Sequence, residues 1–381
     1  MANFSVKKLA ILINPQGSSG VPGGICVVVS KLLQGLAAQN FDLDLVVHSH
    51  EAIKLFPDLP QQVRVINLNT PFQVRFKSAI KIIPPLLKYL RAEKPDVLIC
   101  HLTLVNYLTV IARLLARVPT CLVLVEHFPF LELQKNQAKP NALKTPLKMM
   151  QRWLYLQADA IVAVSEGVAK SFEGGLNLKP GSVQVIYNPV VNENLRRKAQ
   201  KPLEHPWFAE HQPPVILAVG RLLPPKDFDT LIQAFAQLRK KRPLRLLILG
   251  EGNLRSGLES LISNLGISAD VSLPGYTNNP YCYMAKAGVF VLSSHFEGLP
   301  TVIIEALACN CQVVATDCPY GPQEILANGE FGHLVPVGDV TALASAIELA
   351  LDQPINIEKL KQRSENFTVL SSVDAYLKLF A

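Results

Sequence analysis

Short apolar runs alternate with helix-length stretches along nearly the whole chain, and this alternation restricts the fold more than any other feature. Residues 9–13, 42–48, 63–68, 96–100, 121–126, 160–164 and 183–186 read as strands, with helices over 24–39, 79–93 and 104–115 among them. A second series follows, with strands over 215–219, 244–249, 271–273, 289–292 and 312–315. Its helices fall at 228–239, 254–265 and 300–308, and two final helices at 340–351 and 369–380. Apolar strands separated by helices form βαβ units, and these build parallel sheets covered by helices. The expected class is therefore α/β. Two series in 381 residues mean two Rossmann-like domains.

Between the series the composition turns polar and proline-bearing (Arg196, Arg197, Lys198, Pro202, Pro206, Pro213, Pro214), which reads as an interdomain linker. The expected division is a domain over 1–195, a linker over 196–214, a second domain over 215–365 and a terminal helix over 366–381. Two such domains enclose a cleft, and ligands of open α/β sheets sit beyond the carboxyl ends of the strands.

Seven cysteines form no paired framework and no Cys-x2-Cys, the pattern of a reduced, cytoplasmic protein. Lys7-Lys8 before an apolar run imitates a signal peptide. That run is five residues long, shorter than the ~7–15 of a signal core, and Asn14-Pro15 closes it. The longest apolar tract, 97–112, contains His101 and Asn106 and falls short of the ~20 residues a membrane helix needs.

The net charge of +7 is unevenly spread. Residues 1–200 hold 23 Lys and Arg against 12 Asp and Glu (+11), and residues 201–381 hold 14 against 18 (−4). In 71–94 the basic Arg75, Lys77, Lys81, Lys88 and Arg91 lie among Phe and Ile/Leu positions. In 139–153, Lys139, Lys144, Lys148 and Arg152 lie among Leu147, Met149, Met150 and Trp153. Such mixing fits helices lying in an anionic membrane surface, and equally fits amphipathic helices packed on their sheet. Nucleic acid is excluded as a partner, because no recognition motif accompanies the charge.

One stretch carries more chemistry than the rest: Ser293-Ser294-His295-Phe296-Glu297-Gly298-Leu299-Pro300, running on to Glu305. It reads as the end of a buried strand, a glycine turn and a helix with Pro300 in its first turn. Open amides and the helix dipole make such a junction an anion site. The Glu-x7-Glu spacing of Glu297 and Glu305 resembles the retaining glycosyltransferases of family 4, which have the GT-B fold. The resemblance extends to Gly220-Arg221-Leu222 with Lys226, to Leu249-Gly250-Glu251-Gly252, to Leu273-Pro274-Gly275 and to 332–336. It is dense over 215–351 and thin before. It implies two Rossmann-like domains facing across a cleft, with the C-terminal helix returning to the N-terminal domain.

The resemblance also implies roles. Arg221 and Lys226 hold the leaving diphosphate of a nucleotide-sugar donor, UDP-linked, and Glu305 holds the ribose. Glu297, with Gly220, Gly298, Leu299 and Pro300, lies at the donor sugar and phosphates. His127, at a strand end, sits beside that sugar, whereas His101 at a neighbouring strand end reads as structural. Gly17, in the loop 17–24, either touches the diphosphate or acceptor or belongs to a surface loop. The triplet Asp42-Leu43-Asp44 reads as the solvent side of a strand and Asp227-Phe228-Asp229 as a helix start. Cys309, Cys311 and Cys318 make a poor zinc pattern, so no metal and no cofactor is expected. The expected function is transfer of a hexose, with retention, to a hydroxyl of a lipid-linked or saccharide acceptor at the inner face of the cell membrane. A sugar-nucleotide epimerase, a sucrose- or glycogen-type synthase, and an inactive donor-binding scaffold are the alternatives.

Overall fold

The computed structural model describes residues 6–14, 23–56, 58–70, 80–130 and 141–380, with the backbone alone for 141–144. The chain divides into two compact units, residues 1–189 with 369–381, and residues 190–368.

Unit 1 is a seven-stranded parallel sheet: β1 (Lys8–Ile13), β2 (Asp42–Val47), β3 (Val63–Asn67), β4 (Val97–His101), β5 (Cys121–Glu126), β6 (Ala160–Ala163) and β7 (Gln184–Val185). Their order is β3-β2-β1-β4-β5-β6-β7, so it reverses between β1 and β4. That reversal is the switch point at which open α/β sheets place ligands. β1, β4 and β5 are almost wholly buried (Leu9 to Ile13, Leu98 to Cys100, Leu122 to Val125), as expected of strands covered on both faces. The terminal helix Val369–Leu377 belongs to this unit. It packs on the helix Gly24–Ala37, and its Ser372 hydroxyl donates to the Tyr187 carbonyl at 2.8 Å.

Unit 2 is a six-stranded parallel sheet: β8 (Val215–Val219), β9 (Arg245–Leu249), β10 (Val271–Gly275), β11 (Val289–Leu292), β12 (Val313–Thr316) and β13 (His333–Val335), in the order β10-β9-β8-β11-β12-β13. Its core joins Ile216, Ala218, Leu246 and Ile248 of the sheet to Leu231 and Phe235 of one helix and Leu343 and Ile347 of another. Burying one Leu, Ile or Phe side chain is worth ~1.5–3 kcal/mol, so this layer is what makes the strand ends a rigid platform.

Three sequence expectations change. The stretch expected to be a linker is folded onto unit 2. Asn192 caps the helix Glu193–Ala199, and the Asn279 amide donates to the Lys198 carbonyl at 2.9 Å. Phe208 meets the Tyr283 ring at 5.8 Å, and Arg245 stacks over Trp207. Two aromatic residues among prolines are packing material, which is why this polar-looking stretch does not run free. Asp44 is not on a solvent face: it is buried, accepts from Arg64 Nε and Nη2 at 2.8 Å each, and accepts from the Tyr89 hydroxyl at 2.7 Å. Pro300 stands at the N-cap of the helix Thr301–Ala308 and not within its first turn. The helix Ile357–Ser364 and the strand β13 had no counterpart among the expected elements.

Candidate functional site

Unit 2 gathers its candidate residues where β8 and β11 end. After β8 the chain turns through Gly220 and Arg221 into a 3-10 turn, Pro224–Lys226, and then the helix Phe228–Arg239. The loop after β9 holds this turn in place. Gly220 N–H donates to Leu249 O at 3.0 Å, Leu222 N–H to Glu251 O at 2.9 Å, and Leu254 N–H to Leu222 O at 3.2 Å. The approach needs glycine at 252, where a Cβ would lie 2.2 Å from the Leu222 carbonyl oxygen. Asp227 caps the following helix, accepting from the Thr230 hydroxyl at 2.6 Å, so its triplet is a helix start as read.

β11 supplies the other half. The Ser293 hydroxyl donates to Lys226 O at 2.8 Å and the His295 N–H to Pro225 O at 2.8 Å, tying the two loops together. Lys226 Nζ reaches Glu297 Oε1 at 2.6 Å, and the Ser294 hydroxyl donates to the same oxygen at 2.7 Å. Thr316 in turn fixes Ser294 by donating to its carbonyl at 2.6 Å. Gly298, Leu299 and Pro300 form the buried turn between Glu297 and the helix Thr301–Ala308. No side chain caps that helix, and the N–H groups of Thr301 and Val302 have no acceptor among the described residues. Gly321, at φ 96°, lets the next loop lie on this turn; a Cβ there would stand 2.4 Å from Pro300 Cδ. Gly321 thus shapes the turn by packing.

Glu305 lies one helical turn further in, 8 % exposed, with the Tyr281 hydroxyl 3.3 Å from its carboxylate. Burial, and then the Glu305 charge, hold the Tyr281 phenol far above its ordinary range. Arg221 is exposed; its carbonyl accepts from Leu223 N–H at 2.8 Å, and its guanidinium has no ion pair or hydrogen bond among the described residues. Cys311 and Cys318 are buried thiols, each pushed up to about 12 by desolvation.

The site therefore presents an unpaired guanidinium, an ammonium neutralised by a carboxylate, and open amides at a helix start. An anion arriving there meets fixed donors and can draw Lys226 away from Glu297.

The remaining candidate, His127, belongs to unit 1. It follows β5, is buried, and its Nε2 lies 2.8 Å from His101 Nδ1. Desolvation pushes His127 down to about 4, and desolvation, helped by His127, holds His101 well below its ordinary value. Beside it Glu126 is fully buried, accepting from the Thr103 hydroxyl at 2.6 Å, Asn106 Nδ2 at 2.6 Å and the Tyr155 hydroxyl. Burial raises Glu126 to about 7, against the pull of those hydrogen bonds. Gly17 lies outside the described residues, as do 71–79 and 139–140 of the basic stretches.

Sequence reasoning missed Ser294, Tyr281, Thr316 and Glu126, and gave His101 a bland role. Ser294 stands inside the quoted stretch, three residues before Glu297. Tyr281 leaves no sequence signal, because only the fold carries its helix to Glu305.

Residues 22–194 match the family described as glycosyltransferase family 4, and residues 201–367 match glycosyl transferases group 1. The chain is also 32% identical over 366 residues to the N-acetylgalactosamine-N,N'-diacetylbacillosaminyl-diphospho-undecaprenol 4-alpha-N-acetylgalactosaminyltransferase of Campylobacter jejuni, covering 95% of this chain and 93% of that one. The chain belongs to the glycosyltransferases, with the GT-B fold. Among solved structures, this glycosyltransferase superposes on sucrose-phosphate synthase from Thermosynechococcus elongatus with a TM-score of 0.76 at 21% identity, over 98% of this chain and 99% of that one. It superposes on HepE from Anabaena, solved in complex with UDP, with a TM-score of 0.75 at 19% identity, over 97% and 98% of the two chains. At such identities the likeness is one of fold.

Proposed function

We propose that this glycosyltransferase moves a hexose from a UDP-linked donor to a hydroxyl of a lipid-linked or saccharide acceptor, with retention and without a metal or other cofactor. The observation that carries the reading is the exposed, unpaired Arg221 beside the Lys226–Glu297 ion pair, both at strand ends next to a helix start with open amides. A leaving nucleoside diphosphate gains negative charge as the anomeric C–O bond breaks, and preorganised cations and amides stabilise that gain more than they stabilise the ground state. Two cations and open amides supply this without a divalent ion. Lys226 turns from Glu297 to the phosphate, and Glu297 is released toward the hydroxyls of the sugar. Glu305, deep in the helix, accepts from the ribose hydroxyls. His127, through its open Nδ1, touches the sugar.

Glu297, still held by the Ser294 hydroxyl and given over to the sugar hydroxyls, serves as a binding group and not as the nucleophile of a double displacement. The acceptor oxygen then attacks the face the diphosphate leaves, a C–O bond forms as the C–O bond to phosphate breaks, and the acceptor proton passes to the departing phosphate oxygen. The Campylobacter relative is named for a diphospho-undecaprenol substrate and the Anabaena neighbour for UDP, and both support these choices.

Thermal shifts with UDP, GDP and ADP test the donor site. UDP at ~100 times its Kd adds ~2.7 kcal/mol, and Glu305→Gln loses most of that shift. An equal shift with all three nucleotides removes the UDP assignment, a UDP shift unchanged in Glu305→Gln removes the ribose assignment, and no shift at all removes both.

The acceptor reading extends to a surface. No helix among the described residues is long and apolar enough to cross a membrane. The helix Asn141–Tyr155 and its next residue expose Met149 (67 %), Met150, Trp153 (53 %) and Leu156, with exposed Arg152 among them. Apolar and basic groups on one exposed face fit the headgroup region of an anionic leaflet, at the cytoplasmic side. The chain floats with anionic vesicles at low salt, and Met149→Ser with Trp153→Ser abolishes it; flotation unchanged in that variant refutes this seat.

A further inference from the structure

β4 and β5 end side by side in two histidines whose contact fixes a proton. His101 Nδ1 and His127 Nε2 are 2.8 Å apart, and the rings tilt by 34° with centroids 5.1 Å apart. A contact this short between two ring nitrogens is a hydrogen bond, with a proton on one and a lone pair on the other. Both rings are buried, which keeps them neutral at pH 7, so each carries one proton.

Two arrangements satisfy that count. If His127 donates from Nε2, His101 must carry its proton on its own Nε2, which is buried and has no partner among the described residues. If His101 donates from Nδ1, the atom left over at Nε2 is a bare lone pair. A buried N–H with no acceptor is among the rarest defects of a folded protein, and an unused lone pair is tolerated more often. The second arrangement is therefore favoured, and it puts the proton of His127 on Nδ1.

The backbone holds His101 where this requires. His101 sits in register between Ile13 and Val125, and the next residue, Leu102, is bent to φ 81° and ψ 128°. A leucine rarely adopts that region, so the surrounding structure imposes the bend directly behind the histidine. On the other side, Asn106 donates to the Val125 carbonyl and to Glu126, fixing the end of β5 that carries His127.

We infer that His101 is a positioning residue that locks His127 as the Nδ1–H tautomer, so that His127 offers a hydrogen-bond donor to a ligand oxygen and cannot act as a base through Nδ1. The ligand half of this rests on the reading that places His127 beside the donor sugar; the tautomer half does not. The oxygen it suits is a hydroxyl or phosphate oxygen, since each accepts from an N–H.

The test is a proton–nitrogen correlation spectrum of the imidazoles in the full chain labelled with 15N-histidine at pH 7.5, with His127 assigned by its loss in His127→Gln. The wild type has His127 protonated at Nδ1 and bare at Nε2. His101→Ala, which leaves Nε2 without its donor, shifts His127 toward the Nε2–H form that histidine prefers in water. It also lowers kcat/KM for the donor roughly tenfold, the loss of about one good hydrogen bond. His101→Asn, which keeps an N–H near the place of Nδ1, restores both. A wild-type spectrum with His127 protonated at Nε2 overturns the lock, and it decides the matter even if His101→Ala does not fold. A locked tautomer with unchanged donor kinetics in a folded His101→Ala overturns the ligand role, whereas the absence of any nucleotide shift would fall on the proposed function.

Discussion

The two sheets end in clusters of opposite physical character. In unit 2, Arg221, Lys226 and Glu297 are charged and at least partly open to water, with the ion pair's side chains 24 % and 14 % exposed. Solvent screens their interactions, and a partly exposed pair of this kind adds only ~0–1 kcal/mol to stability. In unit 1, His101, His127 and Glu126 are buried, and desolvation has moved each toward its neutral form. One cluster is built to meet charge and the other to hold protons in chosen places. The first should therefore respond to substitution of charge and to salt, and the second to pH.

The sharpest way to break that contrast lies in unit 2. The Arg221 guanidinium has no partner among the described residues, so Arg221→Ala should leave the fold intact while removing a cation from the leaving group. Turnover falls ~10²–10³-fold, the cost of deleting one preorganised stabilising group, with melting unchanged. Assayed in excess chelator, the wild type keeps its rate. A variant within a few-fold of the wild type would mean that Arg221 only decorates the surface, and the exposed cluster would lose its claim to the chemistry.

The same contrast explains what could be read before any coordinates. Arg221 and Lys226 stand at a short spacing just after β8, and Glu297 and Glu305 just after β11, and charge at a strand end is visible in a one-dimensional pattern. The alternation of apolar runs likewise predicts the parallel sheets, since buried strands and amphipathic helices differ in period. The histidine pair is invisible by that route. His101 and His127 are 26 residues apart in sequence and meet only because β4 and β5 are neighbours in register. Tyr281 reaches Glu305 across 24 residues because its helix, Tyr281–Met284, packs on the helix Thr301–Ala308. Asp44 was misread because the period-two alternation of an exposed strand does not hold for an inner strand whose polar face is covered by Tyr89 and Arg64. The stretch at 196–214 was misread because proline and charge mask the packing value of Trp207 and Phe208.

The buried cluster makes a smaller demand that can be checked by stability alone. Glu126 titrates near 7 in the fold against 4.5 when unfolded, so the native state resists its ionisation, and its contribution is full below pH 4.5 and lost as pH rises through 7. His127 has the opposite sign: held near 4 against 6.5, its contribution is full above pH 6.5 and lost as pH falls through 4, and His101 follows the same direction. Between pH 6.5 and 4.5 Glu126 thus offsets one of two histidines, and the wild type weakens on acidification because the other is not offset. Glu126→Gln is close in shape to the protonated acid. Its amide oxygen accepts from Asn106 and Tyr155, and its amide N–H meets a Thr103 hydroxyl that can rotate to accept. The variant cannot ionise, so relative to the wild type it gains on the order of 2–3 kcal/mol between pH 5 and pH 8. Denaturant unfolding at the two pH values measures this difference directly. A difference that does not change with pH would mean that water reaches Glu126, and then the desolvated character assigned to the end of β5 would fail together with the neutrality of its histidines.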